Sequence, residues 1–164
     1  MNKHTLFTVA SFLFCTQVSG DTPDGIYHKG WIDFNKNGKM DLYENPKAPL
    51  EERVQDLLSQ MTLEEKSCQM ATLYGSGRVL KDALPQDNWK TEVWKDGIGN
   101  IDEEHNRLGT FKSEYSFPYT KHVDAKHAIQ RWFVEETRLG IPVDFTNEGI
   151  RGLCHDRATY FPAQ

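Results

Sequence analysis

Apolar residues recur at helical spacing in three stretches of the chain, and two shorter apolar runs fit strands better. The first helical stretch predicts a helix over residues 50–60, because Pro49 favours a helix start at this point. The apolar face of this helix is formed by Val54, Leu57, Leu58 and Met61. Such a stripe is typical of core packing, so we expect this face to be buried.

A second helix is predicted directly after the first. Thr62 and Glu65 have the spacing of a capping box, in which each side chain accepts a backbone N–H at the helix start. The expected buried face of this helix consists of Leu63, Met70 and Leu73.

Residues 74–96 then show no helical or strand periodicity, which predicts a long loop. Trp89 and Trp94 in this stretch either stack on a sugar or pin a long loop to the body, and we favour the second role.

The third helix is predicted to have Thr120 as its N-cap and to end before Gly140 and Pro142. Its expected inward-facing residues are Val123, Ile129, Trp132 and Phe133, with Ala125 and Ala128 as further candidates. Because Pro142 disfavours helical geometry at the residue before it, we expect this helix to deliver the chain into a strand.

Two short strands complete the pattern. Residues 97–101 predict a first strand, in which the glycines mark a close approach of two backbones, and a polar stretch over residues 102–119 follows. Val143 and Phe145 form the apolar part of a second strand. The order helix, strand, helix, strand predicts an α/β fold with a parallel sheet.

Glu148 is the first functional candidate that this pattern provides. It directly follows the second strand, and the carboxyl ends of parallel strands form the edge where ligand-binding groups gather in α/β sheets and barrels. The alternative is an ordinary solvated loop carboxylate, since charged loop residues are mostly just exposed.

The first twenty residues predict a signal peptide. Lys3 precedes an apolar run over residues 6–15, and small residues ending in Gly20 fit a cleavage site. The mature chain over residues 21–164 is therefore expected to be exported, to the periplasm or outside the cell. No later segment is long and apolar enough to predict a transmembrane helix, so we expect no membrane association after cleavage.

Composition indicates one globular domain, with 38% apolar and 26% charged residues among 164. Removal of residues 1–20 takes away one lysine, which leaves 18 basic against 24 acidic side chains and a formal net charge of −6. An acidic chain without a basic stripe argues against nucleic acid as a partner.

Cys68 and Cys154 remain in the mature chain. They are far apart in sequence, so the sequence does not establish a disulfide between them.

Residues 33–44 match the calcium-loop pattern D-x-[DN]-x-[DN]-G-x5-E without a mismatch. The predicted ligands are side-chain oxygens and one backbone carbonyl, from Asp33, Asn35, Asn37, Lys39 (carbonyl), Asp41 and Glu44. Pro46 cuts off an outgoing helix, so we expect a single structural Ca²⁺ site within a lead-in over residues 21–48. The alternative is a β-turn rich in asparagine and glycine.

Several motifs in order resemble the N-terminal part of family 3 glycoside hydrolases, the β-glucosidase family. They are RVQDLLSQMTLEEK (residues 53–66), GIG (97–99), ETRLGIPV (136–143), NEGIRG (147–152) and the TYFP run (159–162). The resemblance covers most of residues 49–164 and implies the first portion of a (β/α)8 TIM-like barrel, incomplete in this chain. It also implies hydrolysis of β-glucosides or related β-glycosides with retention, and a β-linked glucoside or oligosaccharide as substrate.

Retention needs two carboxyl groups about 5–5.5 Å apart, one a nucleophile and the other an acid/base. The resemblance implies that the nucleophile is an aspartate on a later barrel strand and that the acid/base comes from later still in the chain. We therefore expect no catalytic residue in these 164 residues, no cofactor for catalysis and no activity of this chain alone. Two other functions stay open. One is a non-catalytic carbohydrate- or calcium-binding module, and the other is a non-functional truncated product.

The resemblance also implies two substrate-binding residues, Glu148 and Arg151. Glu148 matches an acidic residue, usually aspartate, that hydrogen-bonds sugar hydroxyls in the cleavage subsite. Arg151 stands where the family commonly has histidine, and both departures leave open which hydroxyl is contacted.

Overall fold

The computed structural model describes residues 25–91, 94–105, 114–149, 152 and 159. Its strands are β1 (Tyr27–His28), β2 (Trp31–Ile32), β3 (Thr72–Tyr74), β4 (Asn100–Asp102) and β5 (Asp144–Thr146). Its α-helices are α1 (Leu50–Gln60), α2 (Leu63–Gln69), α3 (Ser76–Val79) and α4 (Tyr119–Glu136). Short 3-10 helices cover Leu42–Glu44, Asp87–Lys90 and Glu114–Ser116. The predicted signal peptide, Arg151 and Cys154 lie outside the described residues. Among the residues that are described, no helix has the length and hydropathy to cross a membrane.

The main sheet has the strand order β3-β4-β5, and both neighbouring pairs are parallel. A parallel sheet is what the alternation of helices and strands predicts. The strand predicted over residues 97–101 begins later, at Asn100, and is not the first of the sheet, because β3 precedes it. Gly99 lets β4 approach the end of α2, since a Cβ at this position would lie 2.1 Å from the Gln69 carbonyl oxygen.

One face of the sheet packs against α4 and the tryptophan-containing loop to form the core. Trp89 and Trp94 are almost fully buried, which confirms that they pin the loop to the body. Their rings pack edge-on at 5.7 Å, and the Trp94 ring also packs on Phe133 at 5.4 Å. The buried residues of this cluster are Trp89, Trp94, Ile98, Ile101, Ile129, Phe133 and Val143.

Helix α4 begins at Tyr119, two residues before the start that a Thr120 N-cap predicts. Pro118 is the N-cap, because it is still extended while its carbonyl accepts the N–H of His122. Ala125, Ile129 and Phe133 are buried as expected. Val123 is exposed, so its predicted inward orientation is wrong.

Helices α1 and α2 form at the predicted places but do not bury the predicted faces. The Thr62–Glu65 capping box is present with both hydrogen bonds. Of the α1 stripe, however, only Met61 is buried, while Val54 and Leu58 are each 40% exposed. The predicted α2 face is wrong for Leu63 and Met70, which are mostly exposed, whereas Leu73 is half-buried against the core as part of β3.

Candidate functional site

The carboxyl ends of β4 and β5 meet at one edge of the sheet, because the two strands are parallel and Asp102 pairs in register with Thr146. Glu148 follows two residues after β5 and is exposed at this edge. The structure therefore places Glu148 where the sequence predicts it. Arg151, the other predicted substrate-binding residue, lies outside the described residues.

Asp102 is a polar group of this edge that the sequence pattern misses. Thr146 Oγ1 donates to Asp102 Oδ1 at 2.8 Å and lies 3.1 Å from Asn100 Oδ1, so the two strand ends are tied by their side chains. Asp102 is half-buried, and Thr146 is exposed. The sequence predicts that this strand ends at residue 101, which assigns Asp102 to the following polar stretch. The pattern therefore does not predict Asp102 as a residue of the sheet edge.

A buried polar cluster follows β4 directly. Glu104 and His105 are almost fully buried, and His105 Nε2 lies 3.1 Å from Glu104 Oε1. Burial lowers the pKa of His105 to about 4, and the charge of Lys126 acts in the same direction, although a hydrogen bond with the Ala83 backbone opposes the shift. His105 is therefore neutral at physiological pH.

Helix α4 and the 3-10 helix before it complete the surroundings of His105. Its ring lies 6.2 Å from that of His122 and 5.7 Å from that of Tyr115. Burial also lowers the pKa of Lys126, while the nearby Glu104 carboxylate opposes this shift. The run of acidic residues and histidine directly after a strand was the available sequence signal for this cluster.

Asn147 adds an unsatisfied acceptor beside Glu148. Its Oδ1 is buried and accepts no hydrogen bond from the described residues. A buried acceptor without a donor costs about 1–3 kcal/mol, so the position of this amide carries a free-energy cost beside Glu148.

The predicted calcium ligands converge in the loop of residues 33–44, but N–H groups of the same loop occupy their oxygens. Asp33 accepts the N–H groups of Asn37 and Gly38 at 3.1 and 2.7 Å. Glu44 accepts those of Phe34 and Asp41 at 2.7 and 2.9 Å. The loop is thus already folded around its two most buried carboxylates.

Asp41 gathers the two asparagines of the loop. Its Oδ2 accepts from Asn35 Nδ2 and Asn37 Nδ2 at 2.5 and 2.7 Å, so amide nitrogens rather than oxygens face it. Within the described ranges, no group of three or more Asp, Glu, His or Cys side chains is arranged to hold a metal ion. The donor set still suits Ca²⁺ in its chemistry, since Lys39 offers its backbone carbonyl, the other side chains offer oxygen, and both amides can turn by rotation about χ2.

Lys36 fastens the loop of residues 33–44 to the end of α4. Its Nζ donates to the carbonyls of Phe34, Val134 and Thr137 at 2.6, 2.8 and 2.6 Å. Gly140 packs directly against the same loop and has a φ of +58°. A Cβ at this position would lie 2.6 Å from the Phe34 carbonyl oxygen, so a side chain would not fit. This loop is therefore joined to the helix that leads into β5 and Glu148.

No known protein family matches the chain. No curated protein matches it either. The likeness to family 3 glycoside hydrolases therefore rests on the motifs of the sequence itself.

Proposed function

We propose that this chain supplies a sugar-binding strand end to an exported β-glycosidase of glycoside hydrolase family 3, acting on β-glucosides or related β-glycosides. The observation that carries the proposal is the position of Glu148, exposed just beyond a parallel strand at the edge shared with β4. The ordered motifs that resemble the family support the same assignment.

A carboxylate suits this role because it accepts hydrogen bonds from neighbouring sugar hydroxyls, and charge-assisted hydrogen bonds are stronger than neutral ones. In this proposal Glu148 orients the sugar, and Arg151 is the second residue that binds it. Cleavage of the glycosidic bond belongs to the nucleophile and acid/base that the resemblance assigns to later parts of the enzyme, so Glu148 binds the substrate without taking part in the cleavage.

The test is an NMR titration of isotope-labelled protein with methyl β-D-glucopyranoside. We expect saturable shifts of the amides of residues 144–149, and about tenfold weaker binding in Glu148→Gln, because the charged acceptor is lost. Glu64→Gln is the matched control, since Glu64 is exposed on α2 far along the chain from β5. Equal affinities in wild type and Glu148→Gln would refute the role of Glu148.

We also propose that the loop of residues 33–44 binds one structural Ca²⁺. The support is the complete sequence pattern and the convergence of Asn35, Asn37 and Asp41. Calorimetry with Ca²⁺ should detect one site in wild type that Glu44→Gln weakens, since the closing ligand loses one charged oxygen. Glu51→Gln, at an exposed position of α1, should titrate like wild type. No heat in wild type would exclude the site.

A further inference from the structure

One face of the β3-β4-β5 sheet is polar along its whole length. Register pairs on neighbouring strands point to the same side of a sheet, so two rows of side chains share this face. The upper row, at the carboxyl ends of the strands, consists of Tyr74, Asp102 and Thr146. The lower row consists of Thr72, Asn100 and Asp144.

Such a face is unusual for a parallel sheet. Parallel strands are ordinarily covered on both faces and carry apolar residues on both sides. Here the opposite face follows that rule, because Ile101 is fully buried and Leu73 and Phe145 pack against the core. Apart from the Tyr74 ring, the polar face carries no apolar side chain for a helix to cover, and its residues are half-buried or exposed. Its chemistry therefore fits a polar occupant.

The upper row presents a hydroxyl, a carboxylate and an aromatic ring. Thr146 donates to Asp102 Oδ1, which fixes the carboxylate and leaves its other oxygen to accept from a ligand. Tyr74 is 42% exposed and offers an aromatic ring on the same face. Adjacent strands lie about 4.8 Å apart, so the row extends over roughly 10 Å.

We propose that the Tyr74–Asp102–Thr146 row binds carbohydrate and extends the Glu148 subsite to a second sugar ring. This inference rests on the proposed function. Sugars present hydroxyl groups to a carboxylate and C–H groups to an aromatic ring, and the upper row offers both in one line. Glu148 lies two residues beyond Thr146, at the carboxyl end of the same strand, so one chain of sugar rings reaches both.

The test compares cellobiose, a β-linked glucose disaccharide, with methyl β-D-glucopyranoside in NMR titrations of the full chain. We expect cellobiose to bind wild type about tenfold more tightly than the monosaccharide. Asp102→Asn should abolish this advantage, because it removes the charge while keeping the shape and the hydrogen bond from Thr146. Tyr74→Leu should reduce the advantage, and Tyr74→Phe should retain it.

Asp144→Asn is the matched control, since it removes a carboxylate from the lower row of the same face. It should leave the cellobiose advantage intact. Equal binding of the two sugars by wild type, or an unchanged advantage in Asp102→Asn, would overturn the inference even if Glu148→Gln weakens both sugars. Conversely, loss of the advantage in Asp102→Asn, together with unchanged binding of both sugars in Glu148→Gln, would support the row and refute the Glu148 subsite.

Discussion

Helix α4 and the α1–α2 pair both carry apolar stripes, but they bury them to different extents. In α4, Ile129 and Phe133 are completely buried against the sheet and the tryptophan-containing loop. In α1 and α2, Leu58 and Leu63 remain 40% and 75% exposed. Periodicity therefore identifies the face that a helix offers, but whether that face is covered depends on residues far away in sequence.

Polar contacts hold the α1–α2 pair where apolar packing does not. Arg138 Nε donates to Glu65 Oε1 at 2.9 Å, and Nη2 of the same side chain donates to the Gln60 carbonyl oxygen at 2.8 Å. Burial alone would raise the pKa of Glu65, but hydrogen bonds from Arg138 and the Thr62 backbone outweigh it and lower that pKa. The pair is thus linked to the segment after α4 through charged groups.

The largest expected effect comes from truncating a core ring. Phe133→Ala should lower the free energy of unfolding by about 4 kcal/mol, because it removes a buried aromatic side chain and leaves a cavity. Leu58→Ala is the control on the exposed stripe and should cost less than about 1 kcal/mol. Urea unfolding measures both. A cost for Leu58→Ala as large as that for Phe133→Ala would mean that the α1 stripe is covered in solution.

Local signals predicted what is local in this fold. Thr62 and Glu65 form their capping box, and α1 spans the predicted range, because helix starts and stripes depend on residues within a few positions. The sequence does not predict strand β3, because the strand has only three residues. Its apolar residue Leu73 also fits the apolar stripe of the preceding helix, so the pattern assigns it there. The exposure of Leu63 was missed because it depends on long-range contacts.

The candidate site divides in the same way. Glu148 was predictable, because Pro142 and the alternating apolar residues after it define the end of β5. Asp102 and His105 were not, because β4 continues one residue past its predicted end and turns at once into buried polar chain. Their roles depend on pairing with Thr146 and packing near Lys126, which are contacts between distant parts of the sequence.

The next effect concerns the polar end of the core. The pKa of His105 is about 4 in the folded chain and about 6.5 when exposed, so only the unfolded state binds a proton between these values. The free energy of unfolding should therefore fall as pH decreases from about 6.5 to about 4, by up to about 3 kcal/mol from this group. Urea unfolding at several pH values measures the slope.

His105→Asn removes this titration and suits the positive φ of 56° at the position, since asparagine tolerates that backbone conformation. The variant should show a smaller loss of stability between pH 6.5 and 4 than wild type. His127→Asn, at an exposed position of α4, should keep the wild-type slope. Identical slopes in His105→Asn and wild type would show that His105 does not titrate as its burial predicts.

The smallest of these effects concerns the junction between the loop of residues 33–44 and α4, where Lys36 donates to the Val134 and Thr137 carbonyls at the end of α4 and to the Phe34 carbonyl of its own loop. Lys36→Met should cost about 2 kcal/mol, because carbonyls at a helix C-terminus lose a cation and its hydrogen bonds. Lys39→Met, at an exposed position of the same loop, should cost less than about 0.5 kcal/mol. Thermal or urea unfolding compares them. Equal stability of the two variants would mean that the loop of residues 33–44 and α4 are held together by packing around Gly140 rather than by Lys36.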